Sequence, residues 1–381
     1  MIIGFDITSL IYNRGVSKYT SNLVSALLQQ PDTQLRLFGS SLRQNNFLVK
    51  SAQSLIQTSS NKSAHQISIQ SKPLSLLEFQ WKIGASKISS IFPDLDIYHS
   101  WDWLQPPDKN LPLVSTIHDL TILKFPKTAH PKILKNHRRS WKILKEREAE
   151  IIAVSRATKK DIVELLDIPS FKVHVVPEAL PTEIIQASES LTEEDYELLK
   201  TQLELNKPYI FFIGTREPRK NLINLIKAWK PLSKEYQLII AGDIGWDKTE
   251  ESQYQNNPDL RFLGKVTNKQ LSVLYSEAAC LAFPSIYEGF GLPILEAFYH
   301  GTPVVTSNIS AMIEVAGNAA EFVEPKEVES IRRGIENVLN ESKQDEQKRL
   351  QRMIIRLQMF SWDRVAKDTI AVYQKAIRNK N

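Results

Sequence analysis

Short apolar runs that read as β-strands alternate with stretches of helical periodicity along the whole chain, in two separate series. That alternation is the strongest constraint on the fold. Parallel strands cannot be joined by a tight turn; each needs a crossover of about a dozen residues or more, usually a helix. A chain that keeps supplying strand and helix in turn builds parallel sheets covered by helices. In the first series, strands are predicted at Ile2–Ile7, Gln34–Phe38, Asp96–His99, Leu113–His118, Ile151–Val154 and Val173–Val176, with helices from Ser17 to Gln29, Pro131 to Ala149 and Ala157 to Leu166. The pattern weakens across Pro181–Asn206, a polar stretch rich in Glu, Ser and Thr. It resumes with strands at Tyr209–Ile213, Gln237–Ala241, Arg261–Leu263, Cys280–Phe283 and Pro303–Thr306. At 381 residues, two domains are expected. The reading is an α/β chain with one doubly wound domain over 1–182, a linker over 183–204 and a second doubly wound domain over 205–360. Ser361 is placed to cap a last amphipathic helix over Val365–Ile377, free to pack on either domain.

Composition removes several classes. Apolar residues make up 42% and charged residues 24%, enough core for a globular chain, which excludes disorder. A single cysteine, Cys280, excludes disulfide scaffolds and Cys-rich metal sites, and its apolar neighbours mark it as a buried small hydrophobe. No apolar run approaches the ~20 residues of a membrane span, and Met1–Ile7 lacks the pattern of a signal peptide, so a cytoplasmic location is expected. No phosphate-binding loop of the GxxxxGK[ST] type is present, and the histidines lack zinc-ligand spacing. Asp94-Leu-Asp96 imitates a metal-binding DxD pair, but Asp96 enters a strand directly and is read as a strand cap.

Charge is uneven. Residues 1–180 carry 23 Lys+Arg against 15 Asp+Glu, and the remainder 25 against 28. The excess concentrates in Lys124–Arg147, with nine basic residues, one acid (Glu146) and the apolar residues Ile133, Leu134, Trp141, Ile143 and Leu144. This composition suits an anionic membrane surface, peripheral at its inner face. It equally suits a solvated basic helix whose apolar side packs on its own domain. No nucleic-acid-binding module accompanies the charge, so no nucleic acid partner is expected.

Three segments follow predicted strands and carry candidate chemistry. The most specific is PSIYEGFGLPILEAFYHGTP, Pro284 to Pro303. Strand Cys280–Phe283 leads into a loop with Gly289 and Gly291; a helix then opens with Pro293 and closes at Gly301. Free backbone amides around Phe290, Gly291 and Leu292 would suit a phosphate. Glu288 and Glu296 are eight residues apart, about 12 Å along a helix at ~1.5 Å per residue. A glycosidase pair would be about 5 Å apart, so these two are read as touching different ends of one extended ligand. The second segment, Gly214 to Asn221, crowds Arg216, Arg219 and Lys220 at a strand end, where cations could neutralise a departing diphosphate. The third is His118-Asp119, where a neutral imidazole could donate a hydrogen bond to a sugar hydroxyl or phosphate, while Asp119 could instead cap the next turn.

Glu288 and Glu296, with Gly-Phe-Gly-Leu-Pro between them, resemble the E-x7-E motif of retaining glycosyltransferases of the GT-B fold, in the large group called family 4. Gly214–Asn221 is similar to that family's phosphate-binding loop, and Phe360-Ser-Trp-Asp363 to its ending. The resemblance implies two Rossmann-like domains facing across a crevice, with the C-terminal helix, about 361–381, crossing back to the first. It implies that Lys220 holds the diphosphate, with Arg216 or Arg219 replacing the basic residue the family often has at Thr215. Glu288 would contact the sugar, Glu296 the ribose, and His118 the donor sugar. Gly15 matches the family's first-domain glycine loop, where more glycines are common. Glu178 stands where the family commonly has Asn-Gly and receives no role.

The expected function is metal-independent transfer of a hexose, GDP-mannose being the first-choice donor, to a glycan or lipid-linked acceptor in cell-surface polysaccharide assembly. No cofactor is implied beyond the nucleotide-sugar substrate. The alternatives are an epimerase or phosphorylase on the same fold, and a non-catalytic sugar-nucleotide or glycan-binding subunit.

Overall fold

The structure is a computed structural model that describes residues 1–12, 15–59, 65–126, 130–245 and 257–380. It divides into two compact units, Met1–Glu178 with Ser361–Asn381, and Ala179–Phe360.

The first unit is built on a parallel sheet of β1 (Ile2–Asp6), β2 (Gln34–Ser40), β3 (Gln66–Gln70), β4 (Ile97–Ser100), β5 (Leu113–Ile117), β6 (Glu150–Ala153) and β7 (Val173–Val175). Their order is β3-β2-β1-β4-β5-β6-β7. Residues of the central strands are buried on both faces, as parallel sheets under helices require, which is why they read as continuous apolar runs. Phe38, Trp81, Tyr98, Trp141 and Ile151 share one core cluster. The basic helix Pro131–Glu146 buries Trp141 and Leu144 in that core. Its apolar side therefore packs on its own unit, and Trp141, 3% exposed, is not available to a membrane.

The last helix, Trp362–Lys380, belongs to this unit. Ser361 Oγ accepts the Arg364 amide at 3.3 Å, and Val365, Ala366, Thr369, Val372, Tyr373 and Ala376 form the buried stripe. Asn379 donates to Glu150 at 2.8 Å, and Lys375 to the Phe171 carbonyl at 2.7 Å. Asp94 and Asp96 are structural: Asp94 pairs with Arg36 at 2.5 Å, and Asp96 accepts the Ile2 amide at 2.7 Å.

The second unit repeats the plan with β8 (Tyr209–Ile213), β9 (Gln237–Ala241), β10 (Leu260–Gly264), β11 (Cys280–Phe283), β12 (Val304–Ser307) and β13 (Glu321–Val323). The order is β10-β9-β8-β11-β12-β13, every pairing parallel. Cys280 is buried on the central strand β11, and burial pushes its thiol up to about 12.

The stretch expected as a linker, 183–204, is instead two helices of this unit, Thr182–Glu189 and Glu193–Gln202. They pack on the helix Asn268–Ser276. The first buries Ile184, and the second is tied by polar contacts: Tyr196 donates to Glu277 at 2.8 Å, Lys200 pairs with Glu277 at 2.8 Å, and Lys269 with Asp195 at 2.9 Å. A helix held by ion pairs rather than an apolar stripe shows little periodicity in sequence. Among the described residues no helix is long and apolar enough to cross a membrane.

Candidate functional site

In the second sheet, β8 and β11 are neighbours whose onward connections run to opposite sides, the switch point where open α/β sheets bind ligands. The two most specific sequence segments are the loops that leave these strands. They are tied together by the Ile286 amide donating to the Arg219 carbonyl at 2.7 Å. Asn221, at φ +63°, ends the first loop in the left-handed conformation that asparagine tolerates. Its side-chain amide donates to the carbonyls of Pro284 at 3.0 Å and Pro325 at 2.5 Å.

Glu288 lies at the centre. Its Oε2 accepts from Arg219 Nη1 at 2.9 Å, and its Oε1 is 2.7 Å from the Lys220 ammonium. Carboxylate and ammonium are 8% and 7% exposed. Burial alone would raise the Glu288 carboxyl, but Lys220 and Arg219 push it down to about 2. The lysine does not gain equally. Its burial outweighs Glu288 and, with Arg219 beside it, holds the ammonium below the ordinary lysine range. Lys220 Nζ also stands 4.9 Å from the centre of the Phe283 ring. Two cations, Lys220 buried and Arg219 partly so, thus share one buried carboxylate.

The backbone fits an anion as well. Gly291, at φ +117°, precedes the helix Leu292–Tyr299, which has proline in its first turn as expected. Among the described residues the amides of Phe290, Gly291 and Leu292 have no hydrogen-bond partner. Glu288 is in the loop and Glu296 on the helix, so spacing along one helix does not describe the pair. Glu296 is buried and accepts from the Tyr275 hydroxyl at 2.8 Å. Burial and Glu296 keep that phenol protonated, far above its ordinary value. Arg216 is not brought to Glu288: its guanidinium sits 5.1 Å from the Phe262 ring centre on β10.

In the first unit, His118 follows β5. Its Nδ1 is 2.9 Å from Glu178 Oε1, and the Tyr19 ring meets it edge-on at 4.6 Å. Burial would lower the imidazole, but the Glu178 hydrogen bond and charge, with Asp102 and Asp119, raise it above its ordinary value. The sequence offered a neutral imidazole as the donor; the carboxylates around the ring act against that form, and burial acts for it. Asp119 takes the capping alternative, accepting the Thr121 amide at 2.7 Å. Gly15 opens the helix Gly15–Leu28, and a Cβ there would meet nothing within 4 Å. Its neighbours Asn13 and Arg14 lie outside the described residues, as does Lys127 of the basic stretch.

Sequence reasoning missed three features. Thr306, Ser307 and Ser310 donate to the carbonyls of Phe283, Ser285 and Glu288 at 2.9, 2.6 and 2.8 Å, clamping the loop that carries the carboxylate. Gly242, at φ +129°, lets β9 close on the phosphate loop; a Cβ would fall 2.2 Å from the Gly214 carbonyl oxygen. Only a glycine after a predicted strand signalled it. Glu178, the partner of His118, was marked only by its departure from the Asn-Gly that the resemblance leads one to expect there. Among the described residues no three or more His, Cys, Asp or Glu side chains cluster so as to hold a metal.

Residues 195–354 match the family described as glycosyl transferases group 1, and residues 14–184 the one described as glycosyltransferase family 4. The fold is similar over 99% of both chains to a glycosyltransferase from Rickettsia africae, with TM-score 0.71 and 17% identity. It is also similar to Anabaena HepE, solved with UDP and glucose, with TM-score 0.69 and 15% identity over 98% of this chain and 100% of that one. The architecture is that of the GT-B glycosyltransferases. Among sequence relatives, O-antigen chain mannosyltransferase B of Escherichia coli is 31% identical over 68% of this chain and 70% of its own length. O-antigen chain mannosyltransferase RfbU of Salmonella typhimurium is 30% identical over 58% of this chain and 60% of its own. The serotype-specific mannosyltransferase WbdA of Escherichia coli is 32% identical over 51% of this chain, which spans a quarter of that longer protein. The chain belongs to the family 4, group 1 glycosyltransferases.

Proposed function

We propose that the chain is a retaining mannosyltransferase that uses GDP-mannose and needs no metal, and that its acceptor is a hydroxyl of a growing cell-surface polysaccharide, lipid-linked or free. The observation that carries this is the buried pair Lys220 and Glu288, with the partly buried Arg219, beside the free amides of Phe290–Leu292 at the switch point of the second sheet. The named mannosyltransferases among its relatives favour mannose as the sugar.

In this reading the donor diphosphate takes the two cations and the helix amides. They stabilise the charge that develops on the phosphate as the glycosidic bond breaks, the work that a divalent ion does elsewhere. Glu288, released from the cations, turns to the sugar, and Glu296 accepts from the ribose hydroxyls. The acceptor hydroxyl attacks from the face the phosphate leaves. Its proton passes to a leaving phosphate oxygen, so configuration is retained and atoms balance. His118 gives a hydrogen bond to a sugar hydroxyl. Lys124–Arg147 attracts an anionic membrane surface.

The test is transfer from GDP-mannose, UDP-glucose and UDP-N-acetylglucosamine to a lipid-linked oligosaccharide panel, with and without EDTA, the product anomer being read by NMR. An α-mannoside formed in EDTA supports the reading. An inverted product, restoration only by Mg²⁺ or Mn²⁺, or a strict UDP-sugar preference overturns the corresponding part.

A further inference from the structure

His118 is restrained from two directions within the first unit. Glu178, directly after Val176-Pro177 at the end of β7, brings a carboxylate that is only 6% exposed to 2.9 Å from Nδ1. On the other side, the Tyr19 ring that meets the imidazole is itself anchored. Its hydroxyl lies 3.1 Å from Thr116 Oγ1, which lies 3.0 Å from His99 Nε2. His99 Nδ1 in turn lies 2.6 Å from the hydroxyl of Tyr373 on the last helix. A buried polar chain thus runs from the C-terminal helix to the wall of the His118 ring. With Nδ1 engaged, Nε2 has no partner among the described residues.

We propose that Glu178 is a positioning residue for glycosyl transfer: its carboxylate locks the His118 ring through Nδ1, so that Nε2 is the nitrogen offered to a hydroxyl of the transferred sugar. A buried carboxylate with one hydrogen-bond partner is costly unless that partner is charged. The groups facing the ring are therefore weighed together. Glu178, Asp102 and Asp119 favour the imidazolium, while burial opposes it. His99 sits nearby as a neutral ring, burial and His118 pushing it down to about 3, and the Tyr19 phenol stays protonated. In the imidazolium both nitrogens carry protons, so Nε2 is a donor to the sugar. The same carboxylate would exclude an anionic sugar at this position by repulsion.

This inference rests on the transferase reading, so its test has a part that needs no turnover. Histidine labelled with ¹³C and ¹⁵N gives the midpoint and tautomer of His118, assigned with His118→Asn. In the wild type the midpoint should lie above 6.5, with the proton on Nδ1 at high pH. Glu178→Gln keeps the shape and removes the charge; it should lower the midpoint by about one unit or more. Glu178→Ala, with its fold checked by circular dichroism, should also lower it and release the tautomer. With GDP-mannose as donor, either variant should lose about 10- to 100-fold in kcat, with KM changed less. Glu178→Gln combined with His118→Asn should lose little more than His118→Asn alone. An unchanged midpoint and tautomer in both variants would overturn the locking, and a shifted midpoint with unchanged kcat would overturn the role in transfer. Absence of turnover in the wild type with every donor sugar would count against the transferase reading, while the titration still decides the lock.

Discussion

If Glu288 holds the place that a diphosphate takes in the proposed reading, removing its charge should weaken the empty protein and favour the liganded one. The perturbation is Glu288→Gln. A carboxyl held near 2 instead of its ordinary 4.5 contributes stability that is complete above pH 4.5 and is lost as pH falls toward 2. At about 1.4 kcal/mol per unit, the shift corresponds to about 3 kcal/mol at pH 7. Lys220 does not reduce that loss, because Glu288 raises its ammonium while burial holds it below the ordinary lysine range, so the variant leaves a buried cation without its carboxylate. A loss of about 3 kcal/mol results, at the lower end of the range for breaking a buried ion pair. In a unit of this size that lowers Tm by about 6–12 °C. The assay is differential scanning fluorimetry at pH 7, with and without pyrophosphate and GDP. Two stranded cations should now welcome the anion. Recovering about 1.4 kcal/mol would tighten pyrophosphate binding about tenfold and give a larger ligand-induced rise in Tm than in the wild type. Transfer should fall at the same time, because the carboxylate is then absent from the sugar. A variant as stable as wild type when empty, or one that binds pyrophosphate more weakly, would refute the view of Glu288 as the occupant of the anion site.

Glu296→Gln should weaken GDP binding about 10- to 150-fold in calorimetry, the value of about 1.5–3 kcal/mol for a hydrogen bond to a charged group, with pyrophosphate binding unchanged. Gly242→Ala forces a Cβ against the Gly214 carbonyl at a positive φ and should cost about 2–4 kcal/mol, read as an earlier thermal transition; a wild-type melt would show that β9 and the phosphate loop do not pack this closely. Vesicles containing anionic lipid should sediment the protein, and Lys132, Lys135, Arg138 and Lys142 changed together to Ser should release it at about 1 kcal/mol per cation. The apolar contact should then come from Leu76, Phe79 and Ile83, which are 42%, 57% and 58% exposed, since Trp141 is buried; equal binding to neutral vesicles would leave the basic helix as a solvated surface.

The fold was legible wherever burial dictated sequence. β8, β9 and β11 have the predicted bounds because a central parallel strand is covered on both faces and must be apolar throughout. Two of the four edge strands, β3 and β13, escaped. Gln66–Gln70 alternates polar residues and is not fully buried anywhere, and Glu321–Val323 is too short to show a period. The helix Glu193–Gln202 escaped for a related reason: none of its residues is buried, and its attachment is made by Tyr196, Lys200 and Asp195. Periodicity reports burial of apolar surface, and it is silent where polar groups do the joining.

The site divides along a different line. Lys220, Arg219, Glu288 and the glycines around Phe290 were visible because local chain geometry places them: each follows a strand directly, and a strand's carboxyl end at a switch point has one direction in which to send its loop. What sequence could not supply was pairing across distance. Arg216 and Arg219 look interchangeable three residues apart, yet Arg219 reaches Glu288 while Arg216 lies over Phe262. Glu178 is sixty residues from His118, on a strand end two places further along the sheet, and only the order β5-β6-β7 brings them together. The motif therefore points to candidate groups, while the sheet decides their neighbours: one carboxylate is held charged by two cations, and one imidazole is drawn toward its cation by a carboxylate that no motif contains.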